Sequence, residues 1–185
     1  DIARDLYELS NIKLHKVVWL GPRLSAGLHA SPVYYYVLYP GLVMSNFDAR
    51  SIIVSTAFLG LSAMGLFAWF AQKKWGISGL FATLIIGLFP WWRALVVHPG
   101  NGYTYALWVF IGLTGLWFNL PLIVAALSIG MALAFHPAAI FALPILAYEW
   151  WRRGHSFLQA LYCFIGLVLP WAPIIAFEII THGYM

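Results

Sequence analysis

Apolar positions dominate the second half of the chain, where residues 94–148 contain no Asp, Glu, Lys or Arg. This run is too long for one helix and too apolar for the surface of a soluble protein. A bilayer core takes about 20 apolar residues per spanning helix, so the run alone predicts two or three spans. The pattern therefore predicts an all-α protein built as a polytopic transmembrane helix bundle.

Charged and turn-forming residues divide the chain into an external loop, residues 1–50, and a transmembrane helix bundle, residues 51–185. The loop carries most of the formal charges and predicts an amphipathic helix followed by a juxtamembrane helix. Because the chain begins with Asp1 rather than Met, we expect a fragment of a longer protein, cut just after an earlier span. About six spans are predicted in the bundle, at residues 51–71, 77–96, 103–118, 120–135, 137–151 and 156–179.

Composition and charge agree with a membrane location. Hydrophobic residues make up 63% of the chain and charged residues 9%, whereas soluble domains carry about 25% charged residues. The net charge of +4 would suit nucleic acid, but Lys73–Lys74 and Arg152–Arg153 occupy short breaks between apolar runs. Cytoplasmic loops collect positive charge in this way, so we expect a membrane protein with no nucleic-acid partner.

Counting spans from these basic pairs predicts an orientation. With both pairs inside, the link at Phe118–Asn119 also lies inside, and the segments 1–50, 93–102, 136–137 and 180–185 lie outside. Polar residues from four loops then share one face of the membrane, while the opposite face carries basic loops.

The segment 31–46 contains four tyrosines among apolar residues. A full span here would reverse the parity and place Lys73 outside, so we expect a half-inserted or interfacial helix. Tyr34, Tyr35, Tyr36 and Tyr39 suit the headgroup belt, where the ring lies in lipid and the hydroxyl in water. A short true span that breaks the positive-inside rule is the alternative.

The first twelve residues are predicted to be helical, with Asp1, Asp5 and Glu8 on one side and Ile2, Leu6 and Leu9 on another. A carboxylate at the membrane surface can act as a general base or hold a metal. A solvated helix face with acidic residues near its N-terminus explains the same pattern.

Two further loops carry candidate binding residues. The loop 21–32 combines glycines with Arg23 and His29, and arginine is suited to bidentate phosphate contacts. The loop 93–101 holds Arg93, His98 and Asn101, and an arginine near lipid is costly unless it snorkels, pairs or binds an anion. No two histidines have the spacing of a helical zinc site, so a metal requirement stays open.

These residues, in this order, carry a resemblance to the GT-C glycosyltransferases that use polyprenyl-phosphate sugars, such as the bacterial protein-mannosyltransferases and aminoarabinose transferases. The segment Asp1 to Asp5 resembles the Asp-x-Ala-Arg motif that opens their first external loop, although Ile2 stands where many relatives have Glu. The stretch Pro32 to Tyr36 resembles their Pro-Leu-Tyr-Tyr-Trp motif. Arg50 resembles the arginine that opens their next span, and Phe89–Pro90 with Arg93–Asn101 resembles their next external loop.

The resemblance implies an integral-membrane glycosyltransferase that transfers a sugar from a polyprenyl-phosphate donor to an acceptor hydroxyl on a glycan, lipid or protein. It implies a bacterial-type inner membrane, with the site on the periplasmic face. We expect Asp1 to be the base, with Asp5 as the alternative or second carboxylate. The expected substrate-binding residues are Arg23, His29, Tyr34, Tyr35, Arg50, Arg93, His98 and Asn101.

No cofactor beyond the lipid-linked sugar phosphate, itself a substrate, is implied with certainty. A multi-span transporter or flippase, with Arg93 and the external histidines binding an anion, is the alternative function. Transporters place polar sites and broken helices near the membrane midplane, whereas the polar residues here are predicted at the interface. A non-catalytic scaffold subunit is the third possibility.

Overall fold

The structure is a computed structural model that describes residues 2–24, 29–46, 48–98, 100–154 and 156–181. Its regular elements within these ranges are all helical, which confirms the predicted all-α class. Two 3-10 helices, Pro137–Ala142 and Leu169–Trp171, precede α8 and α10. The α-helices are α1 (Ile2–Lys13), α2 (Val33–Met44), α3 (Ser51–Trp75), α4 (Ile77–Leu88), α5 (Pro90–Val97), α6 (Asn101–Trp117), α7 (Leu122–Phe135), α8 (Leu143–Arg152), α9 (Phe157–Val168) and α10 (Ala172–Thr181).

Two helical stretches of the described chain are long and apolar enough to cross a membrane. One is Ile52–Trp75 in α3, and the other is Phe157–Thr181, which joins α9, a 3-10 helix and α10. The pair α4 and α5 makes a third if it is one broken span, bent by 65°. The break coincides with Pro90, which lacks the amide hydrogen needed to continue the hydrogen-bond ladder of α4.

The predicted number of about six spans is not confirmed, because the other apolar runs form shorter helices. Helix α6 has 17 residues and α7 has 14, and the run 137–151 is divided between a 3-10 helix and α8. A helix of 14 residues is about 21 Å long, less than the roughly 30 Å of a bilayer core. Prolines mark both ends of α7, since Pro121 directly precedes the helix and Pro137 follows its last turn.

Basic residues gather at the end of the molecule where α3 and α6 finish. The Lys74 ammonium lies 5.6 Å from the centroid of the Phe118 ring. Arg152 donates a hydrogen bond of 3.1 Å to the Asn119 side chain, and Arg153 donates one of 2.9 Å to a carbonyl of α6. The two basic pairs and the link at residues 118–119 therefore share one end, as the span count predicts.

The opposite ends of α6 and α7 meet the first loop. The Asn101 side chain donates to the Phe135 carbonyl at 3.2 Å, and the Ser31 amide donates to the Ala134 carbonyl at 2.7 Å. The Ser31 hydroxyl donates to the Pro170 carbonyl at 2.7 Å. Segments from the first, second and third predicted external loops are thus adjacent in the folded chain.

Helix α7 is the most buried helix of the core. Its small residues allow the neighbouring helix α9 to approach it closely. A side chain on Gly130 would lie 2.6 Å from the Gly166 carbonyl oxygen of α9. Membrane helices associate through such small residues, because lipid offers no hydrophobic driving force and packing must supply the attraction.

Helix α2 is shorter than a bilayer core is thick, since its 12 residues extend only about 18 Å. The expectation that all four tyrosines lie in the headgroup belt is wrong for two of them. Tyr34 and Tyr35 are 0% and 1% exposed and face the protein core, while Tyr36 is exposed. The Tyr34 ring meets Phe135 edge-on with centroids 5.4 Å apart, so α2 packs against the end of α7.

Gly130→Leu is expected to lower the free energy of unfolding by about 1–3 kcal/mol, the usual cost of overpacking a core, because the side chain would collide with α9. Denaturant unfolding of the purified protein in detergent measures this change. The control is Gly65→Leu in α3, where nothing lies within 4 Å of the added carbon. An equal loss in both variants would contradict the proposed role of the α7–α9 contact.

Cysteines introduced as His98→Cys and Lys73→Cys are expected to react with a membrane-impermeant thiol reagent from opposite sides of the membrane. The reason is that α4 begins at the basic end, directly after Lys73 and the last turn of α3. Helix α5 then continues toward the first half of α3, where Val96 lies beside Gly60. The native Cys163 is replaced by Ala first. Labelling of both positions from the same side would contradict the predicted orientation.

Candidate functional site

Asp5 lies on α1 and is 1% exposed, although its side chain is a carboxylate. Arg4 donates to Oδ1 of Asp5 from Nε at 3.0 Å and from an Nη at 2.8 Å. Tyr35 donates to the same oxygen at 3.3 Å, and Tyr34 donates to Oδ2 at 3.2 Å. A buried charge is tolerated when it is paired and hydrogen-bonded, and these donors meet that requirement.

The two phenols are held in the protonated form that donates to Asp5. Burial raises the pKa of both Tyr34 and Tyr35 well above the usual value, and the neighbouring Asp5 carboxylate raises it further. Both hydroxyls therefore stay protonated at neutral pH. The carboxylate and the two tyrosines join α1 to α2 as one hydrogen-bonded unit.

The spacing predicts Asp5 and Glu8 on one side of the first helix and Leu9 on another, whereas the structure buries Asp5 together with Leu9. Asp5 shares its side with Leu9 at a spacing of four residues, and both are buried against α2. Arg4, Glu8 and Asn11 form a second side, at spacings of four and three residues, and they line an open pocket.

This pocket, which we call the polar pocket, has a volume of about 550 Å³. Three cationic side chains line it, from Arg4, Lys16 and Arg23, and among the described residues Glu8 is its one carboxylate. Arg4 is paired with Asp5, so these five groups leave a net surplus of one positive charge, which favours an anionic ligand. The remaining lining residues are Asn11, Val17, Val18, Trp19, Leu20, Gly21, His29, Tyr35 and Phe177.

Residues 16–21, 23 and 29 form one part of the wall of the polar pocket. Gly21 donates from its amide to the Ala30 carbonyl at 2.9 Å, and a ring nitrogen of His29 lies 3.0 Å from the Gly21 carbonyl oxygen. A side chain on Gly21 would collide with the backbone of Ala30, so this close pairing requires glycine. Arg23 and His29 are thereby held opposite each other as bridge partners.

Arg50 lies outside the polar pocket, at the rim of an apolar groove between α2 and α3. The groove has a volume of about 860 Å³ and is lined mainly by Val37, Pro40, Met44, Val54 and Phe58. Arg50 is paired with Asp48, with the closest nitrogen and oxygen 2.6 Å apart. Hydrogen bonds from Arg50 lower the pKa of Asp48 to about 2.

Arg93, His98 and Asn101 do not line the polar pocket either. Arg93 is exposed on α5, and the exposed His98 ring packs on Tyr103 with centroids 4.9 Å apart. Asn101 bonds to a backbone carbonyl at the end of α7. Of the predicted binding residues, the structure therefore brings together Arg23, His29 and Tyr35 in the pocket wall, and Tyr34 donates to the same Asp5 carboxylate as Tyr35.

Three charged residues of the pocket are absent from the site predicted from the sequence: Arg4, Lys16 and Glu8. The spacing of Arg4 and Glu8 on a helix could have identified those two, but Lys16 follows the helix and reaches the pocket through the course of the loop. Asp1 lies outside the described residues. Within them, no group of three or more His, Cys, Asp or Glu side chains is placed to hold a metal ion.

Comparison with known proteins identifies no relative: no protein-family model, curated protein or solved structure matches the chain. The chemistry of the polar pocket and its place beside apolar helices are therefore the basis for a functional assignment.

Proposed function

We propose that this chain is part of an integral-membrane glycosyltransferase that uses a polyprenyl-phosphate sugar and transfers the sugar to an acceptor hydroxyl. The polar pocket would hold the phosphate and sugar of the donor while the polyprenyl chain stays in the bilayer. One observation carries the proposal: a pocket with three cationic side chains and one carboxylate lies beside helices long and apolar enough to cross a membrane.

The cations of the pocket match the charge of the donor. A polyprenyl phosphodiester carries one negative charge, and its phosphate gains charge as the sugar leaves. Arg4, Lys16 and Arg23 would stabilise this developing charge, and preorganised cations act strongly where water is partly excluded. His29, held against the Gly21 carbonyl, would add a polar contact to the sugar or phosphate.

The transfer step is a substitution at the anomeric carbon. The acceptor oxygen forms a bond to that carbon, and the bond from the carbon to the phosphate oxygen breaks. The phosphate oxygen keeps the electron pair and leaves as polyprenyl phosphate, while the acceptor proton passes to a carboxylate. Asp1 is the proposed base, on the resemblance of its motif, and Glu8 on the pocket wall is the second candidate.

Asp5 would act as a positioning residue and not as the base. It is 1% exposed, and its oxygens already accept hydrogen bonds from three side chains. Through these bonds it holds Arg4 and Tyr35, both of which line the pocket. It would therefore affect sugar transfer by orienting those two side chains.

The same proposal assigns the protein to a bacterial-type inner membrane, as a polytopic helix bundle with the polar pocket on the periplasmic face. The grouping of Lys73, Lys74, Arg152 and Arg153 at the far end supports this orientation under the positive-inside rule. Incubating the full-length protein with a panel of polyprenyl-phosphate sugars and following release of polyprenyl phosphate tests the activity.

A transporter or flippase of an anionic or lipid-linked substrate is the second candidate. The observation in its favour is the 65° break between α4 and α5, since broken helices form substrate sites in many transporters. Movement of a lipid-linked sugar across proteoliposomes, without release of polyprenyl phosphate, would favour it over the glycosyltransferase.

Lys16→Ala and Arg23→Ala are each expected to lower kcat/KM for the lipid-linked donor by about 10- to 100-fold, because each removes a charge-assisted contact to phosphate. Steady-state kinetics with varied donor measure this. The control, Lys13→Ala, removes a charge from exposed α1 surface outside the pocket. A comparable loss in the control would mean that overall charge, and not the pocket, determines donor use.

Asp1→Asn is expected to lower the transfer rate by about 10² to 10⁴ with little change in thermal stability, because it removes the base. Asp5→Asn is expected to cost about 1–3 kcal/mol of stability and to reduce transfer less, because it leaves the buried donors without a charged acceptor. Single-turnover rates and denaturant unfolding in detergent separate the two effects.

Two controls complete this comparison. Asp48→Asn breaks an ion pair that is open to solvent and should change stability little. Glu8→Gln tests the second candidate base: a large loss of rate in Glu8→Gln with an active Asp1→Asn would exchange their roles. Full activity in both variants would leave the glycosyltransferase without a base and contradict the proposal.

A further inference from the structure

A small pocket at the basic end of the molecule, remote from the polar pocket, carries a second site. It has a volume of about 230 Å³ and is lined by Phe70, Lys73, Lys74, Phe118 and Asn119. We propose that this pocket, the basic-end pocket, binds the headgroup of an anionic glycerophospholipid of the surrounding membrane. This proposal does not depend on the glycosyltransferase activity.

The two lysines supply positive charge that no carboxylate of the described chain neutralises by an ion pair. Aromatic rings hold their ammonium groups in place instead: Lys73 lies 4.3 Å from the Trp69 ring centroid, and Lys74 lies 5.6 Å from the centroids of Trp75 and Phe118. Cation–π contacts restrict an ammonium group without cancelling its charge. Both groups therefore remain available to an anion.

The opposite wall of the pocket adds a polar contact and further positive charge. Asn119 has a left-handed backbone with φ of 57°, and its Oδ1 accepts from Arg152 at 3.1 Å. Because its Oδ1 is engaged, its Nδ2 group is the end that can donate to a ligand. Glu149, the one described carboxylate at this end, pairs with both Arg152 and Arg153. The two arginines and the two lysines together therefore leave a net positive charge.

The depth of the basic-end pocket matches that of lipid phosphates. The 24-residue stretch Ile52–Trp75 extends about 36 Å, which exceeds the roughly 30 Å hydrocarbon core. Its last turn, with Lys73 and Lys74, is then at headgroup level. Exposed indoles surround this end, as in the aromatic belts of membrane proteins, and they belong to Trp69, Trp75, Trp117 and Trp151.

Charge and size together select the occupant. A volume of 230 Å³ suits a phosphate with its glycerol group, while the acyl chains would extend along the exposed apolar side of α3. The phosphate would lie between the two ammonium groups, and the rings of Phe70 and Phe118 would contact the glycerol. The headgroup of a zwitterionic lipid carries an ammonium group that would lie near Lys73 and Lys74 and be repelled by them. The pocket should therefore prefer an anionic headgroup.

The test is native mass spectrometry of the delipidated full-length protein, titrated with phosphatidylglycerol or phosphatidylcholine of identical acyl chains. Phosphatidylglycerol is expected to bind more tightly, and Lys73→Ala/Lys74→Ala to weaken it by about 10- to 30-fold, since each lysine near a membrane surface contributes about fivefold. Lys73→Arg/Lys74→Arg should retain binding, which separates charge from folding. Thermal unfolding of each variant checks that the fold persists.

The charge-matched control is Lys13→Ala/Arg93→Ala, which removes two cations outside the basic-end pocket. Unchanged phosphatidylglycerol affinity in this control supports the site. Equal affinity for the two lipids, or equal weakening in both double alanine variants, would overturn the proposal. Displacement of phosphatidylglycerol by millimolar inorganic phosphate would also overturn it, because the pocket would then be a site for free anions.

Discussion

The arrangement of the polar pocket depends on a carboxylate that is removed from water. Asp5 is accommodated between α1 and α2 because Arg4, Tyr34 and Tyr35 donate to its two oxygens. These bonds join helices separated by a loop of 19 residues, from 14 to 32. Tyr34 also packs edge-on against Phe135, so the same group of side chains fixes α2 to the core helix α7.

The molecule has two cationic pockets, and they differ in how their charged side chains are held in place. In the polar pocket, Arg4 is paired with a buried carboxylate, and Arg23 is positioned by the backbone pairing of a glycine-containing loop. At the basic end, aromatic rings hold Lys73 and Lys74 without a counter-charge. The first arrangement suits a ligand that must be oriented for chemistry, and the second suits a lipid headgroup that exchanges with the bilayer.

The helices between these two ends are held together by close packing. Gly130 and Gly166 allow the backbones of α7 and α9 to touch, and a side chain at either position would collide with backbone atoms of the other helix. Several of these helices are too short to cross a bilayer alone. They are nevertheless apolar, and their backbone groups are hydrogen-bonded within the helices, so they can pack against one another and against the longer helices without water.

The sequence by itself determined the helical class and the gathering of the basic residues at one end, because these follow from local hydropathy, charge and the number of apolar runs. The half-inserted or interfacial position of residues 31–46 stays a prediction. It also indicated Arg23, His29, Tyr34 and Tyr35 as polar residues of one loop and one helix. Only the tertiary structure decided that Asp5 is buried while Glu8 and Lys16 line the pocket, that Arg50 belongs to another groove, and that proline and 3-10 segments shorten the predicted spans. The reason is physical: a carboxylate can be buried only where donors converge on it, and those of Asp5 include tyrosines 29 and 30 residues away along the chain.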